Sequence, residues 1–322
     1  MRMQRRISAV AAMLAAGALT LTACSGGATA GSNNSSGKNF NIGVVVLDLQ
    51  DPDLAQMTKA MQQTAKDEGV TLHITDAKKD VGTELNQVED LLTQQVDAII
   101  LQPLDGEASQ TAAKRVTAAK IPLFILSTEF ADGAKIDYKS YIGVDDTLAG
   151  EMQAEYINKL FPNGGNIVFA AGTYGASWTD RRKTGFTSKI NSNIKTVAEF
   201  QAQGSRDVAK RNMEDTLSRF SSGKIDAVVA NNDEMALGAA SAISDAHRTA
   251  EFKAVVGVDG TQPAFEAIKA GTMTATVRQD SAGQGVKAVQ VVTDFLKGGK
   301  IENRYTLPFT LITQQNLSDF MK

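Results

Sequence analysis

The chain has 322 residues, 43% of them hydrophobic and 21% charged, and a formal net charge of −3. That is the composition of a soluble globular protein with length enough for two domains. It lacks the concentrated basic face that nucleic acid requires, so no nucleic-acid partner is expected.

The first predicted element is not part of the fold. Arg2, Arg5 and Arg6 precede a run of apolar and small residues over 7–21. This is the layout of a secretory signal, too short and too rich in Ala and Gly to span a membrane. It closes on Leu21-Thr22-Ala23-Cys24, which resembles a bacterial lipoprotein box. The resemblance implies that 1–23 is a signal peptide and that Cys24 becomes the lipidated first residue of the mature chain. Cys24 is the only cysteine. It cannot form an internal disulfide, and an exposed lone thiol outside the cell is a liability that lipidation removes. From 24 to 39 the chain is almost entirely Gly, Ser, Asn, Ala and Thr, the composition of a flexible tether. Later runs all fall short of the roughly 18 apolar residues of a membrane span. The expectation is an extracytoplasmic body, held to the outer face of the cell membrane by its lipid anchor alone.

From residue 40 onward, short β-branched runs alternate with longer segments of helical period. The runs lie at 42–47, 70–74, 98–101, 123–126, 167–170, 227–230 and 254–258. Leu54, Met57 and Met61 in one intervening segment, and Val289, Val292 and Leu296 in another, show the spacing of three and four that marks a helix face. Continuous rather than alternating apolar runs belong to strands buried on both faces of a parallel sheet. The repetition predicts an α/β, doubly wound architecture. There is a weak internal echo: Val96-Asp97-Ala98-Ile99-Ile100-Leu101 resembles Ile225-Asp226-Ala227-Val228-Val229-Ala230, each leading through a polar corner into a helix. Two similar α/β halves fit it, although any two strand–helix units share this look.

Ligands of open α/β sheets bind beyond the carboxyl ends of the strands. The corners there read Asp48-Leu49-Gln50-Asp51-Pro52-Asp53, then Ser127-Thr128-Glu129, then Gly172 to Arg182, then Asn231-Asn232-Asp233, then Asp259-Gly260-Thr261. Carboxylates, amides, two adjacent arginines and one Trp form a bidentate hydrogen-bonding set with a stacking surface. Such a set suits a small neutral polyol better than a phosphate or an apolar ligand. Each Ser, Asn or Asp also has an ordinary reading as a helix cap or turn residue.

The stretch from Ala230 to Ala239, "ANNDEMALGA", followed by Val255-Val256-Gly257-Val258-Asp259-Gly260-Thr261, resembles the ribose/galactose type of periplasmic binding protein. Further matches are Tyr141-Ile142-Gly143-Val144-Asp145-Asp146, Arg182-Lys183-Thr184-Gly185-Phe186 and Thr274-Ala275-Thr276-Val277-Arg278-Gln279. The resemblance implies two doubly wound parallel-sheet lobes joined by a three-strand hinge, with a sugar enclosed between them. The lobes would be 40–144 with 280–308, and 145–279 with 309–322, the chain crossing near Val144, Gln279 and Pro308. It implies a monomer without metal or cofactor that delivers a carbohydrate to the transmembrane subunits of an ABC importer. A sensing lobe that presents its sugar to a membrane receptor is the alternative.

Carried over by position, Asn232, Asp259 and Gln279 grip sugar hydroxyls, Asp51 contacts the sugar from the first lobe, and Arg182 sits where a binding Arg lies. Three features of the ribose pattern are missing. Pro52 is followed by Asp53 and Leu54 rather than two Phe, Ser127-Thr128 replaces an Asp-Arg pair, and Val258 stands where Phe is common. Trp178 is a substitute stacking face. Asp51 and Asp53 together favour a ligand with more hydroxyls than ribose, such as a hexose, sugar alcohol or cyclitol. Thr128 and Asp180 complete the candidate set. A sugar-responsive repressor would carry a DNA-reading helix where the secretion signal stands. No nucleotide-loop, zincin or paired Cys-x-x-Cys motif occurs, and His73 and His247 are scattered, so no catalytic residue is expected.

Overall fold

The computed structural model describes residues 39–321. The expected signal peptide, Cys24 and all of the expected tether but Asn39 lie outside the described residues.

Strands and helices alternate as the apolar runs require. In the first half come β1 (Asn41–Val46), α1 (Pro52–Glu68), β2 (Thr71–Asp76), α2 (Val81–Thr93), β3 (Ala98–Leu101), α3 (Gln110–Ala118), β4 (Leu123–Ser127) and β5 (Ser140–Gly143). The second half repeats the scheme: α4 (Asp146–Leu160), β6 (Gly165–Ala171), α5 (Ser177–Lys189), β7 (Ile194–Gln201), α6 (Arg206–Arg219), β8 (Ala227–Ala230), α7 (Asp233–Asp245), β9 (Ala254–Asp259), α8 (Gln262–Ala270) and β10 (Ala275–Arg278). The chain then returns through α9 (Ser281–Leu296) and β11 (Arg304–Thr306) and ends with β12 (Thr310–Thr313).

Twelve strands form two six-stranded sheets, ordered β2-β1-β3-β4-β5-β11 and β7-β6-β8-β9-β10-β12. All pairs are parallel except β10 with β12. Each sheet is covered on both faces. In the first lobe Leu54, Met57 and Met61 of α1 pack with Val289 and Val292 of α9 on one side. Val88 and Leu91 of α2 pack with Val116 of α3 on the other. The second sheet is sandwiched likewise between α6, α7 and α8 and the pair α4–α5. The alternating pattern foretold the α/β architecture of parallel strands, and the family resemblance its division into two lobes. The chain passes between the sheets three times, after β5, after β10 and between β11 and β12.

The internal echo has a structural cause. β3 and β8 occupy the same place in their sheets. Asp97 accepts a hydrogen bond from the Asn41 N–H at 2.9 Å, and Asp226 accepts one from the Asn166 N–H at 2.7 Å. Each aspartate thus pins the start of the neighbouring strand in its own lobe.

Candidate functional site

Both sheets point the carboxyl ends of their strands at the space between the lobes, and a cavity lies there with about 680 Å³ of empty space, partly open to solvent. Of the nine expected ligand-binding residues, eight line it: Asp51, Asp53, Thr128, Trp178, Arg182, Asn232, Asp259 and Gln279.

Asp180 does not. It is exposed in the first turn of α5, two residues from both Trp178 and Arg182. Residues four apart share a helix face and residues two apart do not, so placing Trp178 and Arg182 in the cleft turns Asp180 to solvent.

The first lobe presents α1 by its N-terminus. Asp51 caps that helix, accepting from the backbone N–H groups of Asp53 and Leu54 at 2.9 and 3.4 Å. Asp53 is buried and accepts from the Ser281 hydroxyl at 2.7 Å and from Gln279 Nε2 at 3.1 Å. The same Nε2 donates to Asp259 Oδ1 at 2.8 Å, so one amide joins carboxylates of opposite lobes. Gln279 Oε1 accepts from Gln284 at 3.3 Å, which fixes the amide's orientation.

In the second lobe Arg182 is almost fully enclosed. Its Nε donates to Asp146 at 2.7 Å, and its Nη1 donates to the Asn231 carbonyl at 2.7 Å and stands 3.6 Å from Asp259. Its guanidinium lies 5.3 Å from the centre of the Trp178 ring. Nη2 is what remains of the fork for a ligand. Asn232 caps α7, its Oδ1 accepting from the Met235 N–H at 3.0 Å, which leaves the Nδ2 donor for the cavity. Asn231 is wholly buried and accepts from the Gly172 N–H at 3.0 Å. Asp233 accepts from the N–H groups of Gly260 and Thr261 and from the Thr276 hydroxyl, at 2.9, 2.8 and 2.7 Å. It braces the corner that holds Asp259 at φ 125°, backbone geometry that side-chain-bearing residues seldom adopt.

Burial dominates the electrostatics. It raises Asp53 to about 7, against the Ser281 hydrogen bond, and Asp233 to about 7, against its hydrogen bonds to Thr261 and Thr276. It drives Asp259 well above the usual carboxylate range, with the charge of Asp53 adding to the rise. Asp51 and Asp146 are raised by burial as well, Asp146 against the pull of Arg182. Burial opposes the Arg182 charge, but Asp146, Asp259 and Asp53 outweigh it and hold the guanidinium protonated. Burial thus disfavours charge on these carboxyls, and hydrogen bonds donated by a ligand's hydroxyls favour their charged, accepting form.

Residues outside the candidate set complete the walls. Leu47, Leu54 and Leu104 of the first lobe line the cavity together with Trp178 of the second. Gln102, Ser127, Asp146 and Gln203 add polar groups. The rule of inspecting strand-end corners would have found Gln102 and Leu104 after β3, and Asp146 lies inside a quoted family match. Beneath Leu104, the wholly buried Glu84 accepts from the Leu104 N–H at 2.8 Å and from the Ser109 hydroxyl at 2.9 Å.

Two α/β lobes with polar side chains converging on a cleft between them define a solute-binding protein. The comparisons agree. The chain matches the model described as "Periplasmic binding protein domain" over residues 42–300, and it belongs to that family. It is 32% identical over 284 residues to the ribose import binding protein RbsB of Bacillus subtilis, covering 88% of this chain and 90% of that one. It is 31% identical over 270 residues to a putative rhizopine-binding protein of Rhizobium meliloti, covering 82% and 87%. Among solved structures, an ABC transporter solute-binding protein of Bacillus halodurans with bound myo-inositol superimposes with a TM-score of 0.82 at 33% identity, covering 89% of this chain and 98% of that one. These relatives are solute-binding proteins, not enzymes.

Proposed function

We propose that this protein captures a small neutral polyhydroxylated ring, a hexose or cyclitol, or a sugar alcohol, in preference to ribose. The observation that carries this reading is the convergence of Asp51 and Asp53 from one lobe with Asn232 and Asp259 from the other on a single cavity. Carboxylates accept from pairs of hydroxyls, the Asn232 amide donates, and Trp178 with the three leucines supplies apolar surface for C–H faces. Charge-assisted hydrogen bonds are each worth about 1.5–3 kcal/mol, and an unpaired hydroxyl is costly. A handful therefore gives both affinity and stereochemical choice. The related protein with bound myo-inositol supports a ring with hydroxyls on every carbon.

The moving bodies are 40–144 with 280–308, and 145–279 with 309–322. A ligand touching both favours the closed arrangement through its differential contacts. The closed monomer, lipid-anchored through Cys24 on the outer face of the membrane, then delivers its cargo to the transmembrane subunits of an ABC importer.

A thermal-shift screen against hexoses, pentoses, sugar alcohols and inositols tests the ligand class. Binding to the folded form alone raises the melting temperature with the logarithm of ligand concentration over its dissociation constant. The expected result is a shift with one or a few cyclic polyols larger than that with ribose. A flat response across the panel would sink the carbohydrate reading.

A further inference from the structure

The lobes face each other along two flanks of the cleft, and the flanks are built differently. On one, charged side chains pair inside their own lobe. Lys79 lies 3.2 Å from Asp48, and Arg206 donates twice to Glu234, at 2.9 and 2.6 Å. The space between these pairs is an open gap. On the other flank the bonds run from lobe to lobe. The Gly106 N–H donates to the Gly175 carbonyl at 3.0 Å, and the Glu129 N–H donates to the Ser177 hydroxyl at 2.9 Å. The Arg181 guanidinium, on α5 of the second lobe, donates to the Glu129 carboxylate and, at 3.0 Å, to Asp132.

Glu129 is held ready for this contact. Arg304 of its own lobe donates to both carboxylate oxygens, at 2.7 and 3.1 Å, and lies 4.2 Å from the centre of the Tyr141 ring. Arg304 is on β11 and Tyr141 on β5, strands that each lead directly into a crossing between the lobes. Neither Arg181 nor Glu129 lines the cavity. Successive residues on a helix point about 100° apart, so α5 sends Arg182 into the ligand space and its neighbour Arg181 to the opposite lobe.

We propose that Arg181 is a closure latch, an affinity-setting residue outside the cavity that holds the second lobe on Glu129 of the first. A contact made only in the closed arrangement shifts the open–closed equilibrium by its own free energy, whatever the ligand. It raises the affinity of all cargoes by one factor and leaves their ranking alone. The side chains of Arg181 and Glu129 are 26% and 14% exposed, so the pair is screened by salt but not abolished by it. That the cargo is a polyol rests on the reading above; the latch itself does not.

Hydrogen–deuterium exchange on the full chain without ligand tests it, comparing the wild type with Arg181→Ala and Arg181→Lys. The Gly106 and Glu129 amides, which bond across the flank, report closure. Their exchange is expected to quicken about five- to thirty-fold in the alanine variant and less in the lysine variant. With myo-inositol as the probe, the dissociation constant rises by the same factor and loses its salt dependence, while the order of affinities across the panel is kept. Unchanged exchange in Arg181→Ala overturns the proposal, as does a reordered panel, which would put Arg181 in contact with the ligand. If no polyol binds even the wild type, the ligand class fails, and the exchange result still decides the latch.

Discussion

Asp53 and Asp259 approach the Gln279 amide from opposite lobes, and burial makes the charge of each expensive. An unfolded aspartate titrates near 3.9, whereas Asp53 and Asp233 titrate at about 7 in the fold. The folded protein then binds more protons than the unfolded chain between roughly pH 4 and 7. Its stability is fully present below that window and is lost as pH rises through it. Asp80 and Glu251 are shifted downward and act in the opposite sense, but only in more acidic solution. Calorimetry on the ligand-free protein should show the melting temperature falling between pH 5 and 8, with a shallower fall in Asp53→Asn; a rise would contradict this account. Asp259→Ala removes a hydrogen-bonding carboxyl from the cavity, so polyol affinity should drop about 100-fold or more while the fold survives. Titration calorimetry with circular dichroism checks both halves of that expectation, and unchanged affinity would remove Asp259 from the site. Within the polar stretch after β8, the four residues divide the work in a way no sequence pattern specifies. Asn231 props Arg182 from below, Asn232 both caps its helix and faces the cavity, Asp233 braces the Asp259 corner, and Glu234 pairs with Arg206.

α4 and α5 cross closely because glycines stand at their contact. A Cβ on Gly150 would sit 1.9 Å from the Arg182 carbonyl oxygen, and one on Gly185 would sit 2.0 Å from that of Thr147. Both obstacles are backbone, so Gly150→Ala can be accommodated only by moving α5, which carries Trp178 and Arg182. Overpacking of this kind costs about 1–3 kcal/mol, and the variant should lose both stability and ligand affinity in denaturant and binding titrations. An unaltered unfolding midpoint would mean the helices separate freely. Legibility at this scale followed continuous apolar runs. Strands buried on both faces, such as β3 and β8, stood out as apolar runs. β7 lies at a sheet edge with Lys195, Thr196 and Glu199 interleaved among its apolar residues, and it left no continuous run to read. Eight of the nine expected residues line the cavity, seven of them at the strand-end corners and Gln279 through the family resemblance, and only helix phase, invisible until α5 had a start point, separated Asp180 from its neighbours. Gln102 and Leu104 lie at the corner after β3, which the strand-end rule covers but whose Gln-Pro-Leu holds no carboxylate to single it out.

At the scale of the molecule, the design is two copies of one sheet order facing each other across a cavity, tied by three passages of chain. Those passages also dictate when the molecule can fold. The first lobe is not a continuous stretch: its core needs Val289 and Val292 of α9 against Met57 and Met61 of α1, and Asp53 meets Ser281 across 228 residues of chain. Synthesis proceeds at about 5–20 residues per second, so the amino-terminal half, complete at β5, waits roughly 8–30 s for its last helix, α9. During that interval α1 alone covers one face of its sheet, and collapse gains less than it does once α9 arrives. The topology itself therefore holds the first lobe short of its full core until nearly the whole length has been made.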